Sequence, residues 1–227
     1  MTSFLQQPVC EAANVLLEGK RCIKLLEAGC GSASQLQFKP AVYAVGIDIS
    51  AEELEKNGAV QEKILGDIQC YPLPKEDFDV IVCWMVLEHL PRPKDALANF
   101  FRAVKPGGLL ILGFPNLASI KGLVTKFTPF WFHEMFYRFM RYKSRHFPTY
   151  LRPAILPRRL IWFAENHGFS APFFRMAEGG VARKLRGRFV LADKAFCAVD
   201  RTMRILSFGK CQSTLLDECA LILKKRK

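Results

Sequence analysis

A doubly wound, mostly parallel α/β sheet is what this sequence predicts, and three observations predict it. Apolar strand-type runs alternate with amphipathic helical segments through the first half of the chain. The first run, Lys24-Leu25-Leu26, empties into Glu27-Ala28-Gly29-Cys30-Gly31, where two glycines one residue apart allow a sharp turn and let a ligand approach the backbone. The second run ends in Asp48, 21 residues after Glu27. At that spacing a carboxylate on the neighbouring strand can accept hydrogen bonds from both hydroxyls of a ribose, so a nucleoside-containing cofactor is implied. The alternative is that Asp48 is only an acid at a helix start, where Ser50 already supplies the cap.

The elements follow in order. Leu5, Val9, Ala12, Ala13, Leu16 and Leu17 recur at helical spacing and predict a helix over residues 4–18 that covers the sheet edge or the cofactor. Between the glycine loop and Pro40 only residues 34–38 remain, room for a short helix. Residues 41–47 form the second strand. Ser50 with Glu53 is a capping-box pattern opening a helix that Asn57-Gly58 closes. Residues 62–65 make a third strand running into Gly66-Asp67-Ile68, and residues 78–84 a fourth, of buried type, followed by Leu87-Glu88-His89. A helix over residues 94–104 stops at Lys105-Pro106-Gly107-Gly108, read as a turn before a fifth strand at 109–114. Pro115 is expected to push the chain out of regular pairing.

With 227 residues, half of them hydrophobic and 24% charged, one elaborated domain over 1–227 is expected, with 117–165 and 180–212 as helical lid or insert segments. No basic-then-apolar leader and no apolar run of ~18 residues is present, so a soluble, cytoplasmic protein is expected. The eight cysteines show neither a Cys-x-x-Cys pair nor the histidine spacing of a zinc site, which predicts free thiols in a reducing compartment. Residues 1–120 carry 11 Lys and Arg against 14 Asp and Glu, net −3, and residues 121–227 carry 22 against 7, net +15. The basic half suits an anionic substrate, an acidic membrane surface or nucleic acid, or is a solvated face.

Taken together, Glu27-Ala28-Gly29-Cys30-Gly31, Gly46-Ile47-Asp48-Ile49-Ser50, Gly66-Asp67, the strand at 78–84, Leu87-Glu88-His89 and Lys105-Pro106-Gly107-Gly108 resemble, over residues 22–116, the class I S-adenosylmethionine-dependent methyltransferases. Within them the chain is most similar to the branch holding the ubiquinone-biosynthesis type and small-molecule O-methyltransferases. The resemblance implies a Rossmann-like sheet of seven strands ending in an antiparallel hairpin, S-adenosyl-L-methionine as cofactor, and methyl transfer, most readily to oxygen. Position by position, it implies that Gly29 and Gly31 pass close to the methionine moiety, that Asp48 holds the ribose, that Asp67 with Ile68 holds the adenine, and that the Trp84 backbone faces the methionine end. Glu27, Cys30 and Ile49 complete the implied cofactor set. Ala33 replaces the third glycine that the family often has. Met85 stands where some quinone-modifying relatives carry a further acid near Glu88-His89, so a metal set built there is incomplete and no metal is expected. A dinucleotide oxidoreductase is the rival within the fold, but the loop lacks the third glycine of Gly-x-Gly-x-x-Gly, and the Pro-Gly-Gly turn favours the methyltransferase.

The second half is less specific. Residues 126–140 are unusually aromatic, and a helix from Trp131 would gather Phe132, Met135, Phe136, Phe139 and Met140 on one face. That face packs on the core, closes as a lid over an apolar or aromatic acceptor, or docks shallowly on a membrane. Residues 144–152 read as a loop at the site mouth rich in groups for an anion or a hydroxyl, or as a surface connection. A helix from Pro157 ending at His167-Gly168, a strand at 172–176, a helix over 190–206, a strand at 218–223 and a basic tail at 224–227 complete the chain. His89, His133 and His146 are the candidate bases for a hydroxyl acceptor; each also has a structural reading, and an acidic acceptor needs no base. Amino-methylating nucleic-acid enzymes commonly carry Asp/Asn-Pro-Pro-aromatic where this chain has Trp84-Met85-Val86-Leu87, so the expected partner is a small molecule rather than nucleic acid. Peripheral contact with an anionic membrane, and a non-catalytic cofactor-binding or membrane-adaptor module, stay open beside it.

Overall fold

One sheet of seven strands organises the computed structural model, which describes residues 4–120, 122, 149–150, 152–188, 190–206 and 214–227. The strands are β1 (Cys22–Ala28), β2 (Ala41–Asp48), β3 (Glu62–Leu65), β4 (Phe78–Trp84), β5 (Val104–Pro115), β6 (Phe169–Ala177) and β7 (Glu218–Lys225). Their order is β3-β2-β1-β4-β5-β7-β6, parallel from β3 to β5, with β7 antiparallel to both its neighbours. This is the doubly wound sheet with a closing antiparallel hairpin that the sequence predicts. All seven residues of β4 are buried, because both faces of the sheet are covered. On one face α3 (Pro93–Ala103) and α4 (Pro157–Glu165) bring Leu97, Phe100, Leu160 and Ala164 onto Leu26, Ile81 and Leu110. On the other, Val9 and Ala13 of α1 (Gln6–Leu16) lie with Leu25, Val80, Val82 and Ile111.

Several expectations give way to tertiary context. No helix follows the glycine loop: residues 29–40 are irregular. Five residues cannot offset the cost of helix nucleation, and the loop is tied down instead. Ser34 Oγ donates to Glu27 Oε2 at 2.6 Å, Lys39 N donates to Asn14 Oδ1 of α1 at 2.8 Å, and Leu36 is buried. Helix α2 (Ala51–Lys56) starts as expected, with Ser50 Oγ accepting from Glu53 N at 3.3 Å. It ends on an extended Asn57 (φ −74, ψ 102) rather than a left-handed glycine. Lys105-Pro106-Gly107-Gly108 lies inside β5 as a bulge: the register passes from Phe78↔Val104 to Val80↔Leu109, with Gly107 at φ +75. Pro115 stays in register with Glu218, because its missing N–H falls on the last pair and Asn116 N continues the ladder to Asp217 O at 2.9 Å.

The predicted basic tail is partly strand. Lys225 belongs to β7, and its Nζ donates to Phe101 O at 3.1 Å and Val104 O at 2.9 Å beside Glu76 at 3.2 Å, placing a cation at the C-terminus of α3. Helix α5 (Gly180–Arg188) lies in the 180–212 segment read as a helical insert, but its mostly basic sequence without clear apolar periodicity marks no bounds of its own, whereas α6 (Val190–Leu206) keeps its predicted bounds. The predicted helix from Trp131, with His133 and His146, lies outside the described residues.

Acids at the two edges of the sheet do different work. At the amino edge of β4, burial alone would raise the Asp79 carboxyl. Bonds from Lys20 Nζ, Lys24 N and Lys105 Nζ outweigh it and bring it down to about 2. Asp79 is therefore a fully partnered structural anion. The carboxyl edge of the same sheet holds the acids that the site needs.

Candidate functional site

The strand order reverses between β1 and β4, so the loops that follow them part and leave a crevice at the carboxyl edge. Gly29 crosses it in the left-handed region at φ +70, and a Cβ there would come within 2.5 Å of Val86 Cγ2 from the loop after β4. Both conformation and contact demand glycine. At Gly31 (φ +51) a Cβ would meet nothing within 4 Å. Conformation alone selects glycine there, and the space beside it is open.

Asp48 is oriented by this loop. Its Oδ2 accepts from Gly31 N at 2.8 Å and its Oδ1 from Ser50 N at 2.9 Å, which leaves part of the lone-pair capacity of each oxygen for a ligand. The next side chain, Ile49, is 70% exposed. Gly66 N donates to Asp48 O at 3.0 Å, bringing the loop after β3 alongside. Asp67 accepts from Gln69 N at 2.9 Å and from Gln69 Nε2 at 3.0 Å, while Gln69 Oε1 receives Arg92 N at 2.8 Å. Ile68 gives its side chain to the core and its carbonyl to Asn99 Nδ2 at 3.2 Å.

Glu27 is buried at the carboxyl end of β1. Ser34 occupies one of its oxygens, and Oε1 has no hydrogen-bond partner among the described residues. Burial pushes this carboxyl up, and the hydrogen bonds from Ser34 and the Gln35 backbone only partly oppose the rise. A buried carboxylate oxygen left without a donor is costly, and a ligand cation would supply what it lacks. The Cys30 thiol packs into the space that Gly46 leaves, where a Cβ would lie 2.8 Å from Sγ. Burial, with Asp48 and Glu27 adding to it, holds that thiol at about 11. Cys30 can thus offer a ligand its backbone, not a thiolate.

Three features were missed in the sequence. Asn57 is fully buried, its Nδ2 donating to Gly31 O at 3.1 Å and its Oδ1 accepting from Ala59 N at 3.0 Å, so it braces the glycine loop. The signal was present as Asn57-Gly58 but was read only as a helix stop. Met85, directly after β4, has φ 54, and its N–H donates to Gly113 O at 2.8 Å. A non-glycine residue held there is strained backbone at the ligand edge. Gly113 in turn makes room for the Trp84 ring, since a Cβ would lie 2.5 Å from it. The Trp84 side chain is buried on the α1 face, at the end of β4 beside the crevice.

Residues 87–89 form a single 3-10 turn after β4. Glu88 is buried and His89 partly exposed, with Nε2 3.9 Å from Glu88 Oε1. Tyr150 N donates to Glu88 O at 2.8 Å, pinning Tyr150 against this turn. The structure therefore brings together Glu27, Gly29, Cys30, Gly31, Asp48, Ile49 and Asp67, with Trp84 and His89 on the facing strand end. No cluster of His, Cys, Asp and Glu suited to a metal ion occurs among the described residues.

Known proteins agree with this geometry. The methyltransferase-domain family matches residues 26–112. A ubiquinone biosynthesis O-methyltransferase of Coxiella burnetii is 31% identical over 111 residues, 45% of this chain and 46% of that protein. A tRNA (carboxymethyluridine(34)-5-O)-methyltransferase of Arabidopsis thaliana is 34% identical over 110 residues, 46% of this chain and 27% of that protein. These matches span under half the length of the curated relatives. In structure, phosphoethanolamine N-methyltransferase 2 of Haemonchus contortus, solved in complex with S-adenosyl-L-methionine, aligns at a TM-score of 0.61 over 99% of this chain and 53% of that one; at 13% identity this speaks to the fold. Residues 26–112, which carry the crevice and its acids within this seven-stranded sheet, are thus the part of the chain that is similar to the methyltransferase-domain family.

Proposed function

We propose that the protein transfers the methyl group of S-adenosylmethionine to an oxygen of a small apolar or aromatic acceptor. The observation that carries this reading is the crevice between β1 and β4, where an oriented acid, an open glycine cradle and an unpartnered buried carboxylate oxygen meet. They fit the three ends of the donor. Asp48 would accept from the ribose hydroxyls, Ile49 and the backbone of 67–69 would flank the adenine, and Glu27 would receive the α-ammonium of the methionine moiety. When bound, the donor supplies a methyl already activated on a sulfonium. The chain's work is then to align an acceptor oxygen with that carbon and exclude water, for which proximity contributes several kcal/mol. The oxygen's lone pair forms the new C–O bond as the S–C bond breaks, and the oxygen's proton leaves. Among the described residues His89, beside β4, is the candidate to take that proton.

Calorimetry is expected to detect S-adenosylmethionine binding and no NADH binding; absence of the former overturns the proposal. Methyl incorporation into phenolic acceptors separates an enzyme from a non-catalytic cofactor-binding module. A nucleic-acid acceptor, suggested by the Arabidopsis relative's name, is the competing outcome of the same assay.

A second reading concerns where the acceptor is met. No described helix is long and apolar enough to cross a membrane. However, α6 exposes Val199, Met203 and Ile205 beside exposed Lys194 and Arg201, in the half of the chain that carries a net +15. Apolar side chains flanked by cations suit peripheral contact with an anionic bilayer. Sedimentation with phosphatidylglycerol vesicles is expected to pull the protein down at low salt and release it at high salt. Equal recovery with neutral and anionic vesicles would remove this reading.

A further inference from the structure

We infer that Arg152, stacked on Tyr150, forms an anion-binding subsite at the mouth of the crevice, so that the acceptor carries an acidic group, a carboxylate or a phosphate, away from the methylated oxygen. This rests on the methyltransferase reading and deepens it.

Position is the first argument. Tyr150 N donates to Glu88 O at 2.8 Å, which fixes Tyr150 beside the turn that carries His89 at the carboxyl end of β4. On the other side of Arg152 the chain is anchored again: Ile155 N donates to Arg152 O at 3.0 Å, and the Ile155 side chain is fully buried in the core. Two fixed points, each within three residues of Arg152, hold its backbone in place at the edge where an acceptor must approach.

Chemistry is the second. The Arg152 guanidinium carbon lies 5.6 Å from the centroid of the Tyr150 ring, and Tyr150 is 47% exposed. Stacking on an aromatic face orders the guanidinium and leaves its edge, with its fork of N–H donors, for an anion. Two arginines elsewhere are already committed to acids. Arg186 is paired with Glu178 at 2.9 Å and Asp193 at 2.7 Å, and Arg92 with Asp95 at 3.3 Å. Arg152 has no carboxylate within 4.0 Å among the described residues. An ordered, solvent-facing guanidinium without a carboxylate partner among the described residues, at the entrance to a group-transfer crevice, is suited to bidentate recognition of a carboxylate or phosphate.

The test uses the whole chain and titrates benzoate, phenyl phosphate and neutral benzamide, each with and without saturating S-adenosylhomocysteine. Wild type is expected to bind one or both anions at least 10-fold more tightly than benzamide. Arg152→Gln is expected to weaken anion binding about 10- to 100-fold, the range for a lost charge-assisted hydrogen bond. Benzamide and S-adenosylhomocysteine affinities should not change, and Arg152→Lys should restore part of the loss. Because Arg152 is exposed, circular dichroism of the variants is expected to match wild type. Benzoate and phenyl phosphate distinguish the two acidic groups. The inference is overturned if wild type does not prefer anions, or if Arg152→Gln leaves their affinity intact. Failure of S-adenosylhomocysteine to bind would instead remove the methyltransferase reading, and the anion titrations would still read out alone.

Discussion

Asp48→Ala is expected to weaken S-adenosylmethionine binding by about 100- to 1,000-fold, the combined effect of two lost hydrogen bonds to a charged acceptor at roughly 1.5–3 kcal/mol each, less what water recovers. The loss has two sources. The carboxylate that would accept from the ribose disappears, and so does the acceptor at 2.8 Å that orients Gly31 N and hence the open side of the glycine cradle. Asp48→Asn separates them: it keeps one acceptor oxygen and the side-chain volume but places an amide where a second N–H must find a partner, so an intermediate loss is expected. Adenosine, which contains the ribose, should lose affinity in parallel with S-adenosylmethionine. Methionine, which lacks it, should lose only the smaller part that comes through the Gly31 loop. Unchanged affinity of Asp48→Ala by calorimetry would refute the ribose assignment.

Asp48 was legible because strand ends leave local marks: an apolar run, an acid, then a cap. The same holds for Gly29, whose place after β1 announces a tight turn. What the sequence could not carry were contacts made across the sheet. Asn57 looks like a helix stop until its amide is seen to bridge to Gly31 O, 26 residues away along the chain. Lys105-Pro106-Gly107-Gly108 has turn composition, but pairing with β4 at Val104 before it and Leu109 after it absorbs it as a bulge in a single strand. Residues 34–38 lose their expected helix to bonds with Glu27 and α1, which no local propensity describes. Cys30 and Ile68 fall at motif positions that the resemblance ties to the cofactor, yet their side chains pack inward. A motif position fixes where the backbone runs, whereas the direction of the side chain depends on which face of the strand or loop meets the core.

Glu27→Gln is expected to move two measurements in opposite directions. Burial raises this carboxyl above its ordinary value of 4.5, so the folded chain without donor holds the proton more tightly than the unfolded chain does. The stability that this group contributes is therefore fully present below the unfolded value and is lost as pH rises through the folded one. Above that raised value the ionised form is a burden that the neutral amide removes, and there the variant without donor should melt at a higher temperature than wild type. Donor binding should go the other way. The α-ammonium of S-adenosylmethionine pairs with the ionised carboxylate, so the variant should lose about 10- to 100-fold in affinity, the range for a charge-assisted hydrogen bond inside a protein. The same linkage predicts the pH profile. Because the donor selects the ionised form, wild-type affinity should climb as pH rises through the raised value of Glu27 and level off above it, with proton release on binding in that window. The glutamine variant should lack that rise. A residue that merely supported the loop through Ser34 would weaken donor binding on substitution without changing its pH dependence. Calorimetry of wild type and variant across that window separates the two roles, and an unaltered pH slope in Glu27→Gln would overturn the pairing with the ammonium.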